Sequence, residues 1–417
     1  MSVAGTQAAI AFAMKVPLRK REPSHRFRIA MVAACPMPAR RGTPLRVERL
    51  AEALSMRGHH VELITYHIAD APQTLDFPVH RTFSRPLYWR MPAGPNLRKL
   101  FVYDPALAYR IWRVLAAEPF DVIHAHHLEG LLVSLPARMR YRIPVVYDAH
   151  TMLSLELPSY GPVFCRRAVG AAGAWLDGVL PRGADHVAAV TSDIRDRLIE
   201  DHGMRPERIS VVTNGVETAT FQVDEPTLSD GLIRLIYTGT LAPYQDIGLL
   251  LEAFARAWRV RTDLRLCFFV SSPFEPYEAQ ARRLGIRDAI EVVPDGFSEL
   301  PRRLAGSLIA VLPRTRCPGI PQKLLNYMAA GKAIVSSAGS AKLLEHERTG
   351  LVVPDGDVQA FAHALLRVAG NPELARELGR SAREYVERSY SWEHAAERLE
   401  LIYEQLAPAA VTAGSAG

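Results

Sequence analysis

Pro318-Gly319-Ile320-Pro321-Gln322-Lys323-Leu324-Leu325-Asn326-Tyr327-Met328-Ala329-Ala330, closed by Gly331, decides how this chain reads. A Gly/Pro loop feeds a helix expected to open at or near Pro321, since proline suits a first helical position whose N–H has no intrahelical partner. Gly331 suits the left-handed residue just past a helix end. The helix start then offers free N–H groups and the positive end of its dipole, a ready site for a phosphate. Lys323 falls in the first turn and adds a full charge. Asn326, three residues on, shares its face and is within reach of a sugar hydroxyl beside that phosphate. Taken alone, the segment reads equally well as an ordinary helix after an ordinary loop.

Working outward, the chain is too long, at 417 residues, for one hydrophobic core, and two or three domains are expected. Hydrophobic residues make up 48% and charged residues 23%, an ordinary globular balance. No run reaches the ~18–20 apolar residues that span a bilayer. The basic cluster Arg19-Lys20-Arg21 follows the apolar stretch near Ala8–Met14 instead of preceding it, so the start does not read as a secretory signal. Residues 1–26 read as a flexible extension. Cys35, Cys165, Cys267 and Cys317 are scattered with no C-x-x-C pair, which points away from a cysteine-based zinc site and toward a cytoplasmic location. Cys267 sits in an apolar strand, as a buried thiol would.

The net charge of +6 does not call for nucleic acid. The charge is locally concentrated: 81–113 interleaves Arg81, Arg85, Arg90, Arg98, Lys99, Arg110 and Arg113 with Phe83, Tyr88, Trp89, Phe101, Tyr103 and Trp112, opposed by Asp104. That mixture suits peripheral contact with an anionic membrane, at the inner face of the plasma membrane, or a nucleic-acid groove, and also a solvated loop with a few core aromatics.

The first half alternates continuous apolar strands with helices. Strands are expected at Phe27–Ala34, Val61–Thr65, Asp121–Ala125, Pro144–Tyr147, His186–Val190 and Ile209–Val212. A helix capped by Thr43, opened by Pro44 and ended by Gly58 follows the first. Another, capped by Ser192 or Asp193 and stopped by Gly203, follows the fifth. Residues 217–231 read as a linker. The alternation then restarts with strands Leu232–Thr238, Leu264–Val270, Ile290–Val293, Leu308–Leu312, Ala333–Ser337 and Leu351–Val353, a helix Ile247–Trp258, and closing helices near 357–369, 372–388 and 391–407. Such runs indicate parallel sheets covered on both faces: α/β, two Rossmann-like doubly wound domains facing a cleft.

In this order the chain resembles the family 4 glycosyltransferases of the GT-B fold, over about residues 27–407. The resemblance rests on Arg41-Gly42-Thr43 with its helix ending in Arg57-Gly58-His59-His60-Val61, on Asp121–His126, and on Tyr147-Asp148-Ala149-His150. It continues through Ala184-Asp185-His186-Val187 to Thr191-Ser192, Val212-Thr213-Asn214-Gly215-Val216 with Phe221, Tyr237-Thr238-Gly239-Thr240-Leu241, the Lys323–Gly331 helix, Thr349-Gly350-Leu351-Val352 and Tyr390-Ser391-Trp392. Each motif is weak alone; their collinear order across two domains is specific.

The resemblance implies an N-terminal acceptor-binding domain (27–216), a nucleotide-sugar-binding domain (232–388), a last helix (389–408) crossing back to the first domain, and a short tail (409–417). It implies transfer with retention from a UDP- or GDP-sugar to a glycan or lipid-linked acceptor, in cell-surface polysaccharide or glycolipid synthesis, with no metal and no further cofactor required. Gly42 would let the backbone approach the phosphates, and His150 would orient the transferred sugar or polarise the acceptor. The implied donor contacts are Gly239, Thr240, Gln245, Arg314, Arg316, Gly319, Ile320, Lys323, Leu324, Leu325 and Asn326.

Two departures stand out. Where the family usually carries an Arg and a Lys gripping the diphosphate, this chain has Thr240 and Gln245. Where it usually carries a Glu-x7-Glu pair, this chain has Pro318 and Asn326. Arg314, Arg316 and Lys323 are the candidates to supply the missing grip. His124, His126 and His127 invite a metal reading, but no carboxylate or cysteine partner recurs beside them in a ligand pattern. Two other functions remain open on the sequence: a GT-B nucleotide-sugar epimerase, and a binding or scaffold protein that kept the fold and lost activity.

Overall fold

The computed structural model describes residues 25–37, 42–67, 75–83, 99–157, 166–222, 231–317 and 319–406. The expected extension at 1–26, apart from His25 and Arg26, and the expected tail at 409–417 lie outside them, as do Arg41, Arg85, Tyr88, Trp89, Arg90, Arg98, Cys165 and Pro318.

The chain forms two compact units, residues 1–214 with 392–417, and residues 215–391. In the first, β1 (Arg28–Pro36), β2 (His60–Tyr66), β3 (Val79–Arg81), β4 (Val122–His126), β5 (Val145–Ala149), β6 (His186–Ala189) and β7 (Ile209–Val211) make one sheet in the order β3-β2-β1-β4-β5-β6-β7. Every pairing is parallel. Alternation along β1 explains why the sequence is apolar throughout: Ala30, Val32 and Ala34 enter one core, while Ile29, Met31 and Ala33 enter the core on the opposite face.

Helices α1 (Gly42–Met56), α2 (Asp104–Ala117), α3 (His127–Tyr141), α4 (Leu153–Glu156), α5 (Arg166–Val179) and α6 (Ser192–Glu200) cover this sheet. Gly42 is already helical, so Thr43 and Pro44 lie inside the first turn instead of capping and opening it. The cap of α6 is Thr191, whose hydroxyl accepts from the Ile194 N–H; Ser192 and Asp193 are inside the helix. From Lys99 onward the basic aromatic stretch is helical, not a loop. Lys99–Tyr103 forms a π-helical turn that runs into α2, and Tyr103, Leu107 and Ile111 bury one face at four-residue spacing.

In the second unit, β8 (Ile233–Gly239), β9 (Leu264–Val270), β10 (Ile290–Pro294), β11 (Ile309–Leu312), β12 (Ala333–Ser337) and β13 (Leu351–Val353) form a parallel sheet in the order β10-β9-β8-β11-β12-β13. It carries α7 (Ile247–Val260), α8 (Glu275–Arg283), α9 (Leu300–Ala305), α10 (Gln322–Ala329), α11 (Val358–Ala369) and α12 (Pro372–Ser389). Asp357 and Asn371 cap the last two through their side chains. Part of the expected 217–231 linker is ordered: Thr218–Phe221 is a 3-10 turn with Phe221 buried. The last described helix, α13 (Trp392–Leu406), belongs to the first unit and lies against α1, where Glu400 bonds Arg57 and His59.

Candidate active site

In the first unit the strand register assembles a buried ionic network. β4 and β5 pair so that His126 faces Asp148, and His124, two residues earlier, shares a face with His126. Asp148 is fully buried. Arg46 of α1 reaches it through Nη2 at 2.9 Å and Nε at 3.2 Å, and also donates to the Asn214 side chain and the Val212 carbonyl. His124 Nε2 lies 3.2 Å from Asp148 Oδ2. Burial pushes the Asp148 pKa up, but Arg46, His150 and His124 outweigh it and hold the carboxyl well below its usual range.

His150 stands one residue past β5, with Nε2 3.1 Å from His126 Nδ1 and 3.5 Å from Asp148 Oδ1. His127, left-handed at φ 64°, stacks on it at 4.6 Å. Burial drives His126 and His150 well below the ordinary histidine pKa, so both are neutral near pH 7. Among the described residues, the buried Nε2 of His126 meets no hydrogen-bond partner.

The sequence reading found no carboxylate near these histidines; the structure corrects that. Asp148, on the neighbouring strand, puts an oxygen within 4.8 Å of ligand atoms of His124 and His126. Sequence spacing missed it because the partner arrives through strand pairing. The donor set fits a fixed ion pair better than a divalent metal, since the Arg46 guanidinium already occupies the carboxylate and repels a second cation.

In the second unit the candidate donor residues gather at the carboxyl ends of β8 and β11. Gly239 closes β8 at φ +101°, and a Cβ there would lie 3.3 Å from Lys323 Nζ. Lys323 Nζ donates to Tyr237 Oη at 2.9 Å and to Gln245 Oε1 at 3.4 Å, and sits 4.0 Å from the Tyr237 ring centroid. Desolvation and the nearby Arg314 lower its pKa to about 7. Tyr237 Oη in turn donates to the carbonyl of the exposed Thr240. Pro321 is the N-cap, extended at ψ 127°, so α10 begins one residue later than expected. Gly319 (φ +81°) and the half-buried Ile320 precede it, Asn326 is half-buried within α10, and Gly331 has the expected left-handed backbone at φ +62°.

The side chains of Leu324 and Leu325 are completely buried and the Leu324 N–H is donated to the Pro321 carbonyl, so any contact these two make with a donor is through main chain. Arg314 bonds the Arg316 carbonyl at 2.7 Å and lies 4.8 Å from the ring of the exposed Tyr244; Arg316 is exposed. Their loop is pinned from below: Asp246, left-handed at φ 54°, accepts from the N–H and hydroxyl of Thr315, while Ser337 and Ser340 donate to the carbonyls of Pro313 and Arg314. The sequence reading missed Tyr237, Asp246, Ser337 and Ser340. Only the position of Tyr237, two residues before Gly239 in the first donor-domain strand, offered a signal.

Of the basic aromatic segment, Lys99 and Tyr103 are buried, whereas Phe101, Tyr109 and Trp112 are exposed. Among the described residues no helix is long and apolar enough to cross a membrane.

Two successive doubly wound units, the second with a cation at a helix start beside its strand ends, define the GT-B class of enzyme. The family model for Glycosyltransferase Family 4 matches residues 41–220, and that for Glycosyl transferases group 1 matches residues 233–371. The α-maltose-1-phosphate synthase of Mycolicibacterium smegmatis is 25% identical over 340 residues, covering 75% of this chain and 86% of that protein. The sucrose-phosphate synthase structure from Thermosynechococcus elongatus superposes with a TM-score of 0.73 at 20% identity, over 91% of this chain and 99% of that one. Anabaena HepE in complex with UDP-glucose gives 0.68 at 17%, over 91% and 100%. The chain belongs to the family 4 glycosyltransferases: it is a glycosyltransferase with the GT-B fold.

Proposed function

We propose that this enzyme transfers a sugar from a nucleotide-diphosphate sugar, a UDP- or GDP-sugar, to a glycan or lipid-linked acceptor with retention of configuration, in the synthesis of cell-surface polysaccharide or glycolipid. The observation that carries this reading is Lys323 in the first turn of α10, held against Tyr237 and Gln245 with Arg314 close enough to depress its pKa. The bond from the sugar's anomeric carbon to the diphosphate breaks, the bond to the acceptor oxygen forms, and the acceptor's proton leaves with the diphosphate or to water. The barrier falls mainly through charge placed against the departing diphosphate. Lys323, Arg314, Arg316 and the helix dipole would supply that charge without a metal. Gly42, at the start of α1, and His150 would position the sugar and the acceptor hydroxyl. HepE was crystallised with UDP-glucose, which favours a nucleotide-sugar donor here.

A lipid-linked acceptor is favoured by the outer surface of α2 and α3. Phe101 is 71% exposed and Met139 72%, with Tyr109, Trp112 and Leu132 also exposed, around an apolar hollow that includes Val133 and Pro136. Arg113, Arg140 and Arg142 are exposed on or beside the same helices, while Asp104, the one carboxylate within α2, is buried. Aromatics with arginines and no exposed acid on α2 suit an anionic bilayer surface.

The test is thermal stability and nucleotide release with UDP-, GDP- and ADP-sugars, for the wild type and for Lys323→Ala and His150→Ala. One nucleotide class should stabilise the wild type, by about 2.7 kcal/mol at 100 times its Kd. Lys323→Ala should lose that shift, and His150→Ala should keep binding and lose transfer. No shift with any nucleotide sugar would overturn the reading.

A further inference from the structure

The second unit holds a cavity that the candidate donor site does not use. Its volume is about 480 Å3, within the ~300–1,000 Å3 range of small-ligand sites. It opens beside Leu308 and Ala333, at the amino ends of β11 and β12. Gly239 and Arg314 lie at the opposite, carboxyl ends of the same parallel sheet.

Three arginines of α12 line it: Arg376, Arg380 and Arg383, spaced by four and three residues and so on one helix face. Arg383 is engaged, ion-paired with Glu387 at 2.7 Å and donating to the Thr218 carbonyl. Among the described residues, Arg376 and Arg380 are exposed and meet no carboxylate within ion-pair distance. Like charges at this spacing oppose the helix unless an anion joins them. The buried walls are apolar, with Phe221, Ala333 and Ala375. The wall is also rigid: Gly379 packs so tightly on the turn after α10 that a Cβ would lie 2.0 Å from the Gly331 carbonyl oxygen. That contact fixes α12, and with it the arginine row, against the cavity.

We propose that this cavity is a second ligand site that takes a small phosphorylated molecule of sugar-phosphate size. The two uncommitted guanidinium forks match a phosphate group bidentately, and the apolar walls take the body of the ligand. The inference stands apart from the donor reading, because no residue is shared between the two sites.

Calorimetric titration of the full chain with glucose 1-phosphate, and with glucose as the uncharged control, tests it. Glucose 1-phosphate should bind the wild type and Lys323→Ala alike, at least tenfold more weakly to Arg376→Gln/Arg380→Gln, and glucose should not bind. A single charge reversal, Arg376→Glu, should weaken binding further than Arg376→Gln does. Loss of glucose 1-phosphate binding in Lys323→Ala, undiminished binding in the double arginine variant, or no binding to the wild type would each overturn the proposal. Failure of every nucleotide sugar to bind would sink the donor reading and leave this one intact.

Discussion

Lys323 gives the sharpest test of the donor site, because its charge depends on pH in a range an enzyme can be assayed in. In the free protein its pKa lies at about 7, lowered first by burial and then by Arg314. A diphosphate placed against Nζ would return that pKa toward the ordinary lysine value of roughly 10.4. Donor binding must then draw in a proton wherever the free lysine is neutral. With a free pKa of about 7 and a bound pKa restored to roughly 10.4, Kd should rise about 90-fold between pH 6 and pH 9, or ~2.7 kcal/mol. At pH 8 about 0.9 proton should be taken up per donor bound.

Folding responds in the opposite sense. The unfolded chain holds the extra proton between pH 7 and roughly 10.4, so this lysine makes the unliganded protein more stable as pH rises through that window. Calorimetry with a UDP- or GDP-sugar, whose diphosphate diester has no titration near neutrality, in buffers of different ionisation enthalpy, measures the uptake directly. Lys323→Arg should flatten the profile, since a guanidinium stays charged throughout. A wild-type Kd that is flat from pH 6 to 9 with no proton uptake would refute the argument that Nζ meets the diphosphate.

Three further outcomes follow from the geometry. Gly339→Ala would place a Cβ 1.7 Å from the Thr315 carbonyl oxygen, so the Arg314–Arg316 loop must move; donor Kd, read by titration, should rise at least tenfold. Arg46→Met leaves the buried Asp148 without its guanidinium and with histidine partners only, at a cost of about 3–5 kcal/mol in urea unfolding, and the loss should not depend on salt because neither partner is exposed. Burial raises the Glu400 pKa, but hydrogen bonds from His59 and Arg57 outweigh it and lower it overall. Its stabilisation is therefore present above the unfolded carboxyl pKa and fades as pH falls through the lower folded value. The gap in urea midpoint between wild type and Glu400→Gln should be widest near pH 7 and close in acid.

The strands were legible because a parallel sheet covered on both faces leaves few polar positions within its strands; β9 was read at its observed ends, Leu264 and Val270. The α10 segment was legible because Gly331 needs its left-handed backbone. Boundaries set by hydrogen-bond geometry were not. Thr191, Ser192 and Asp193 are all good caps, and only the position of Ile194 selects the first. The start of α2 was hidden by its polar and aromatic composition, although Tyr103, Leu107 and Ile111 carry the helical spacing. In the site, the pieces that escaped were long-range. Arg46 and Asp148 are 102 residues apart, and Asp246 meets Thr315 across 69. Neither pairing leaves a local pattern, because a polar contact made through tertiary packing fixes residue type but not spacing.

The departures from the family pattern also balance one another electrostatically. At the four positions in question the usual pattern sets an Arg and a Lys against two Glu; this chain sets Thr240, Gln245, Pro318 and Asn326, all neutral. The summed charge is zero in both, so losing two cations has not by itself made the site less attractive to an anion. What changes is the position and permanence of the remaining charge. Lys323 Nζ lies 3.4 Å from Gln245 Oε1, so the cation reaches the end of β8 from α10, across from the loop that carries it in the family pattern. On α10 its charge adds to the helix dipole at the same end. Packed against Tyr237, it also loses solvation, which a diphosphate bound there would offset by bringing a counter-charge. A permanent arginine would bind anions at any pH; above neutral pH this lysine would be fully charged only with a donor paired to it, so there the affinity would be spent partly on protonation, and the pH profile of donor binding would be a signature of this rearranged site.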